Sequence, residues 1–318
     1  MNKLLPLEES VPFRSYPQYA FFLGILAADG SDVRYTLFNH FITLCYARSL
    51  KQIGILELPF FLSYFSLRFF SAKQKDPLSY FKKQIKAGKY VQVWLNHKYL
   101  SASNCNNDFV HNFLVYGFDD AEQAVYAYGY VRKNDFSGML LKKIRIPYAE
   151  FLRSYETAKR KKSIDKNDFV ISVRRPADTK LHIKKLKLVL FVYLHDLLPS
   201  LPILPVNQHV YGALQKNIRE NGANGYRAVS FPIWKFLEER AAFFHSLAGQ
   251  MGLSAECQEN CRKMKKILSS ALLFSAVRNA SKDCPPRYYE EAAQTFFDNL
   301  AEVRILEKKI LSDIYHNV

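Results

Sequence analysis

The sequence predicts an α+β protein in which a region of strands and short helices precedes an all-helical region. Before Pro176, runs of β-branched and aromatic residues alternate with turn residues, which is the pattern of strands. After Pro176, apolar residues recur at intervals of three and four, which is the pattern of amphipathic helices. We therefore expect one domain over residues 1–176 and a helical domain over residues 177–318.

The first region is expected to open with a helix over residues 18–28, which Asp29 and Gly30 would end. Strands are expected over residues 90–95, 112–118, 123–131 and 168–175. The second and third of these strands flank a short turn at Asp119 and Asp120, so they are expected to form a hairpin. The aromatic run over residues 60–70 and the apolar segment around Cys45 have the spacing of buried helices.

The second region is expected to hold helices over residues 181–198, 211–220, 232–251, 255–281 and 286–315. Ser230 is a suitable N-cap for the third of these helices, with Pro232 in its opening turn. The last helix carries its apolar residues on one stripe, which is typical of a helical bundle.

The composition favours an ordered globular protein, and its positive charge is explained either by a solvated surface, the simpler interpretation, or by an acidic partner. Apolar residues make up 49% of the chain, which excludes the disordered classes. The formal net charge is +16, which attracts nucleic acid, anionic membrane surfaces and acidic proteins alike. The basic residues are spread along the chain and no nucleic-acid module is recognisable, so nucleic acid is not an expected partner. Charges and prolines interrupt the apolar run over residues 186–205, so no membrane span is expected.

The cysteines favour a reducing compartment. Five cysteines are an odd number, and no apolar leader precedes them in the sequence, so we expect reduced thiols and a cytoplasmic protein. Cys257 and Cys261 stand four residues apart without a second Cys/His pair, so no zinc site and no other metal site is expected.

A histidine at the start of a buried strand raises the question of function. His111 begins the segment HNFLVYGFDD, where it either packs in the core or acts as one half of a catalytic pair. The segment HNFLVYGFDDAEQAVYAYGY resembles the histidine hairpin of papain-like proteins typified by the N-terminal domain of butirosin biosynthesis protein H. The strand and tyrosine-containing turn YVQVWLNHKYLSASN and the C-terminal helices with VYGALQKNIREN, FLEERAAFF and LAEVRILEKKIL are also similar to that family.

The resemblance implies a papain-like domain, with an N-terminal helix and an antiparallel sheet, followed by a helical domain. It also implies acyl or aminoacyl transfer from a carrier-protein thioester to an amine, or amide cleavage, in the assembly of peptide-like natural products. The nucleophilic cysteine of such enzymes opens the first helix, where the helix dipole favours the thiolate. Gln18 in Gln-Tyr-Ala-Phe occupies that position here, and Gly129 occupies the expected position of the acid that orients the histidine. The Cys-His-Asp triad is therefore incomplete, because a carboxamide cannot act as a thiolate nucleophile.

The resemblance further implies a substrate cleft beside His111, with Tyr19, Asn96, His97 and Tyr99 as substrate-binding residues. No cofactor is expected, although the phosphopantetheine arm of a carrier protein would carry the substrate.

Two functions remain open on the sequence. The first is a catalytically silent papain-like protein that binds an acidic carrier protein or a biosynthetic partner enzyme. The second is an active acyl or aminoacyl transferase, or an amide synthase, that pairs His111 with Cys105 or another thiol. Cys105 lies six residues before His111 in a polar loop, and Asp108 is a candidate to orient the imidazole.

Overall fold

The computed structural model describes residues 1–40, 42–47, 52–55, 63–70, 76–132, 139–160, 168–195, 197, 209–280 and 286–318. It combines an antiparallel sheet with helices, which confirms the predicted α+β class. The chain divides into two compact units, one of Met1–Asp32 with Phe61–Ala177 and one of Val33–Phe60 with Asp178–Val318. The residues 33–60, which the sequence assigns to the first domain, thus belong to the second unit.

An antiparallel sheet forms the centre of the first unit. Its strands are β1 (Asn2–Leu4), β4 (Phe65–Phe70), β5 (Tyr90–Asn96), β6 (Val110–Asp119), β7 (Ala124–Arg132), β8 (Met139–Pro147) and β9 (Asp168–Val173). The strand order is β4-β9-β5-β6-β7-β8, and β1 pairs with the end of β6. The predicted β6–β7 hairpin is present, and Asp119 closes its turn by accepting hydrogen bonds from the N–H groups of Ala121 at 2.8 Å and Glu122 at 3.2 Å.

Helices cover both faces of this sheet. They are α1 (Pro17–Leu26), α3 (Pro77–Lys86) and α4 (Tyr148–Arg160), with a 3-10 turn at His97–Tyr99. Proline opens α1, and the Asp76 carboxylate caps α3 by accepting a hydrogen bond from Ser79 N–H at 3.0 Å. Phe21 of α1 packs on Tyr128 of β7, with 5.8 Å between ring centroids. Lys82 of α3 lies 5.7 Å from the Phe118 ring, on the opposite face of the sheet.

The second unit is mainly helical. It contains α2 (Arg34–His40), the hairpin of β2 (Leu44–Ala47) and β3 (Gln52–Ile55), α5 (Ile183–Leu194), α6 (His209–Gln250), α7 (Ala255–Ala280) and α8 (Pro286–Asn317). Apolar and aromatic contacts fill its interior, for example Trp234 against Phe296 with 4.7 Å between ring centroids. Among the described helices, none is both long and apolar enough to cross a membrane.

Three secondary-structure predictions are wrong. The segment around Cys45 is the strand β2, and the described part of the run over residues 60–70 contains the strand β4; residues 60–62 lie outside the described residues. A short apolar run fits either period, and pairing with β3 and β9 decides in favour of strands. The two helices expected on either side of Ser230 form one helix, α6, which continues through Ser230 and Pro232. Contacts of α6 with α7 and α8 override the local start signal.

Candidate functional site

His111 lies at the beginning of β6, opposite Leu95 of β5. Aromatic rings surround its imidazole, with centroid distances of 5.6 Å to Tyr130, 5.8 Å to Phe109 and 6.3 Å to His97. Its Nδ1 atom lies 3.4 Å from the Asn112 carbonyl oxygen, which is a long hydrogen bond. Burial lowers the pKa of His111, because the charged imidazolium is poorly solvated in this apolar setting. The ring is therefore held in its neutral form.

His97 forms the second imidazole of the cluster. It follows β5 directly, and its backbone N–H donates a hydrogen bond to the Phe109 carbonyl at 2.8 Å. The ring is fully buried, with centroid distances of 5.0 Å to Phe109 and 5.3 Å to Phe113, and its Nδ1 is hydrogen-bonded to Ser103 Oγ at 2.9 Å. Burial, together with the neighbouring His111, lowers the pKa of His97 to about 3. This imidazole is neutral throughout the physiological range.

Gln18 lies at the second position of α1, at the positive end of the helix dipole. Its side chain is half-buried, and within the described chain no hydrogen bond joins it to His111. The helix α1 packs through Phe21 on Tyr128 of β7, and His111 contacts Tyr130, two residues further along the same strand. The carboxamide of Gln18 offers His111 no thiol to activate.

Gly129 is directly opposite Phe113 in the β6–β7 pair. A Cβ atom at this position would lie 2.2 Å from the Phe113 ring, far inside any real contact distance. The position has no space for a carboxylate that could orient His111. Close ring packing explains this glycine.

Cys105 and Asp108 are engaged with neighbours other than His111. Cys105 is buried, and its thiol donates a hydrogen bond to the Asn107 carbonyl at 3.5 Å. Asp108 accepts a hydrogen bond from the Asn96 side-chain amide at 3.0 Å. Among the described residues, no hydrogen bond joins the Cys105 thiol to His111.

The four expected substrate-binding residues occupy different environments. Asn96 and His97 lie beside His111, because β5 and β6 pair Asn96 with Val110. Asn96 is buried and also accepts a hydrogen bond from Lys98 N–H at 3.2 Å, so it is a turn-capping residue.

Tyr19 and Tyr99, the two tyrosines among the four expected substrate-binding residues, have different neighbours. Tyr19 is fully buried and packs edge-to-face on Tyr16 at 5.7 Å. Tyr99 is half-buried, with the Arg153 guanidinium 4.5 Å from its ring centroid. Only the pair Asn96 and His97 is thus brought next to His111.

The structure also contains buried polar groups that the sequence analysis missed. Asp168 is fully buried, with the Lys159 ammonium at 2.6 Å and the Tyr155 hydroxyl donating to it at 2.6 Å. Burial raises the pKa of Asp168, and the adjacent Lys159 opposes that effect. Tyr155 and Lys159 lie on α4 and Asp168 opens β9, so no local spacing reveals that the carboxylate meets the other two groups.

A second group of polar residues could be recognised in part from its spacing in the sequence. Asp178 lies 3.9 Å from His182, at the i,i+4 spacing, and 4.0 Å from His40. Within the described residues, no set of three or more His, Cys, Asp or Glu side chains is arranged to hold a metal ion.

Comparison with protein-family models finds no match to this chain, and comparison with curated protein sequences finds none either.

Proposed function

We propose that the protein is a catalytically silent papain-like protein of a peptide-type natural-product pathway, which binds an acidic carrier protein or a partner synthase. The environment of His111 is the main support. A general base must reach the proton that it removes at hydrogen-bond distance, about 2.6–3.2 Å. In the described chain, the ring of His111 instead contacts Phe109, Tyr130 and His97, and its hydrogen bond goes to a backbone carbonyl.

The positions that the resemblance assigns to the nucleophile and to the orienting acid also support a catalytically silent protein. Gln18 offers a carboxamide at the helix N-terminus, and the Phe113 ring fills the space next to Gly129. A fold of this kind without both the nucleophile and the orienting acid keeps binding and any oxyanion donors, which in triad enzymes supply only a small part of the rate.

An acidic partner is supported by the basic surface of α3. Lys83 and Lys86 are exposed on the last turns of this helix, and neither forms an ion pair within the described part of the chain. Lys82, by contrast, is paired with Asp120 at 2.5 Å. Unpaired exposed cations together with the net charge of +16 attract an acidic protein over long range.

The binding test uses a fluorescently labelled acidic acyl carrier protein, in its apo and phosphopantetheinylated forms. We expect saturable binding that weakens as salt rises, because exposed charges are screened. The double variant Lys83→Glu/Lys86→Glu is expected to bind about tenfold more weakly. Lys184→Glu/Lys187→Glu is the matched control, since it reverses two exposed lysines at the same spacing on α5. Salt-independent binding, no binding, or equal losses in the two double variants would count against this partner.

The alternative function, an active transferase or amide synthase, stays a prediction. It requires a thiol that His111 can activate. The test incubates the protein with a thioester acyl donor and, separately, with iodoacetamide, and measures intact mass. We expect no adduct beyond the slow reaction of ordinary thiols. A rapid adduct at Cys105 that is lost in His111→Ala would support an active transferase or amide synthase. It would overturn the proposal that the protein is catalytically silent.

A further inference from the structure

The helical unit contains an open pocket of about 480 Å³, in the size range of ligand-binding sites. Two helices form its walls, and the end of α5 contributes Leu194. Tyr211, Gly212 and Gln215 line it from α6, and Leu300, Ala301, Arg304, Ile305 and Lys308 line it from α8. Positions 301, 304, 305 and 308 follow the spacing of a single helix face, so α8 presents one continuous surface to the pocket.

The lining combines positive charge with apolar surface. It includes the cations Arg304 and Lys308, and among the described residues that line it none is acidic. Leu194 and Ile305 supply the accessible apolar part, and Ile305 is 58% exposed. An apolar side chain exposed beside two cations matches a ligand that has both an apolar body and a negative charge.

We propose that this pocket binds a small amphiphilic anion, with its carboxylate or phosphate at Arg304 and Lys308 and its apolar body against Leu194 and Ile305. The site lies wholly within the helical unit, and the proposal does not rest on the function assigned to the first unit.

A buried polar network fixes one wall of the pocket. The Tyr211 hydroxyl donates a hydrogen bond to the Glu307 carboxylate, which is fully buried and paired with Arg240 at 2.6 Å. Arg240 also donates a hydrogen bond to the Ile42 carbonyl at 2.6 Å. The ring of Tyr211 is therefore held in place before a ligand arrives, which lowers the entropic cost of binding. Arg240 also compensates the charge of Glu307, so this carboxylate opposes a bound anion only weakly.

Gly212 provides a way to close the pocket. A Cβ atom at this position meets no atom within 4 Å, so a larger side chain has room to grow without displacing its neighbours. Leucine also favours a helix more than glycine does, so Gly212→Leu is expected to preserve the fold. Ala301→Leu fills the pocket from the opposite wall and serves as an independent second variant.

The experiment measures binding of decanoate by calorimetry, with decanol and decyltrimethylammonium as ligands of similar length and different charge. We expect decanoate to bind about tenfold more tightly than either comparator, because only the anion pairs with the two cations. Lys308→Gln is expected to weaken decanoate binding by about five- to tenfold. Lys309→Gln, an exposed neighbour outside the pocket lining, is the matched control and is expected to leave binding unchanged.

Both leucine variants are expected to lose decanoate binding while keeping the helical circular-dichroism spectrum of the wild type. Unchanged affinity in either leucine variant, equal affinity for the ammonium ligand, equal losses in Lys308→Gln and Lys309→Gln, or no decanoate binding to the wild type would each overturn the proposal.

Discussion

The neutral state of His97 predicts that acid destabilises the first unit, and the size of the effect follows from the pKa. The folded pKa of about 3 lies below the usual 6.5, so the unfolded state binds more protons between these values. The stability that the neutral imidazole of His97 contributes to the folded state is fully present above pH 6.5 and is lost progressively as the pH falls towards 3. Between pH 7.5 and pH 5, protonation of the unfolded imidazole lowers the free energy of unfolding by about 2 kcal/mol.

The perturbation is His97→Asn, which keeps a polar atom near Ser103 and cannot become charged. Urea unfolding is followed at pH 7.5 and pH 5 through Trp94 fluorescence, in a Trp234→Phe background that leaves Trp94 as the only tryptophan. We expect the loss of stability over this pH interval to be smaller in His97→Asn than in its parent by about 2 kcal/mol.

The comparison of pH dependences removes the contributions of other titrating groups, because the parent and the variant share them. The lowered pKa of His111 acts in the same direction and is among these shared contributions. His245→Asn, which changes an exposed histidine of α6, is the control and is expected to leave the pH dependence unaltered. If His97→Asn and its parent lose the same stability between pH 7.5 and pH 5, His97 is not held neutral by the fold and the reasoning is refuted.

Three further changes test the packing and the silent site. Gly129→Ala is expected to lower the free energy of unfolding by about 1–3 kcal/mol, since its Cβ would overlap the Phe113 ring, and Phe113→Leu in the same chain should recover part of the loss in urea titrations. An unchanged midpoint in the single variant would contradict that packing. Glu307→Leu is expected to cost about 3–5 kcal/mol, because it leaves Arg240 charged and uncompensated in the core, and Arg240→Met in addition should recover stability in thermal melts. Additive losses would argue against a coupled pair. Gln18→Cys is expected to gain no thioester cleavage, because His111 directs its hydrogen bond to the Asn112 carbonyl and Gly129 leaves no acid to orient the ring; turnover that disappears on His111→Ala would contradict this expectation.

Part of the candidate site was readable from the sequence. The strand that carries His111 and the hairpin turn at Asp119 follow from local alternation and turn chemistry, and both are present. The aromatic cluster around His111 was not readable. Phe109 is two residues from His111, but His97 and Tyr130 come from other segments, and only strand pairing brings their rings to 6.3 Å and 5.6 Å from His111.

The sequence by itself determined the α+β class, the β6–β7 hairpin and the helical character of the second half, because these depend on periods and turn residues within about ten positions. The tertiary structure decided that Phe65–Phe70 is a strand, since its partner β9 lies about a hundred residues later in the chain. It also decided why residue 129 is glycine, since only the folded pair brings the Phe113 ring onto it. Contacts between remote residues set these features, and no local pattern records which remote residues will meet.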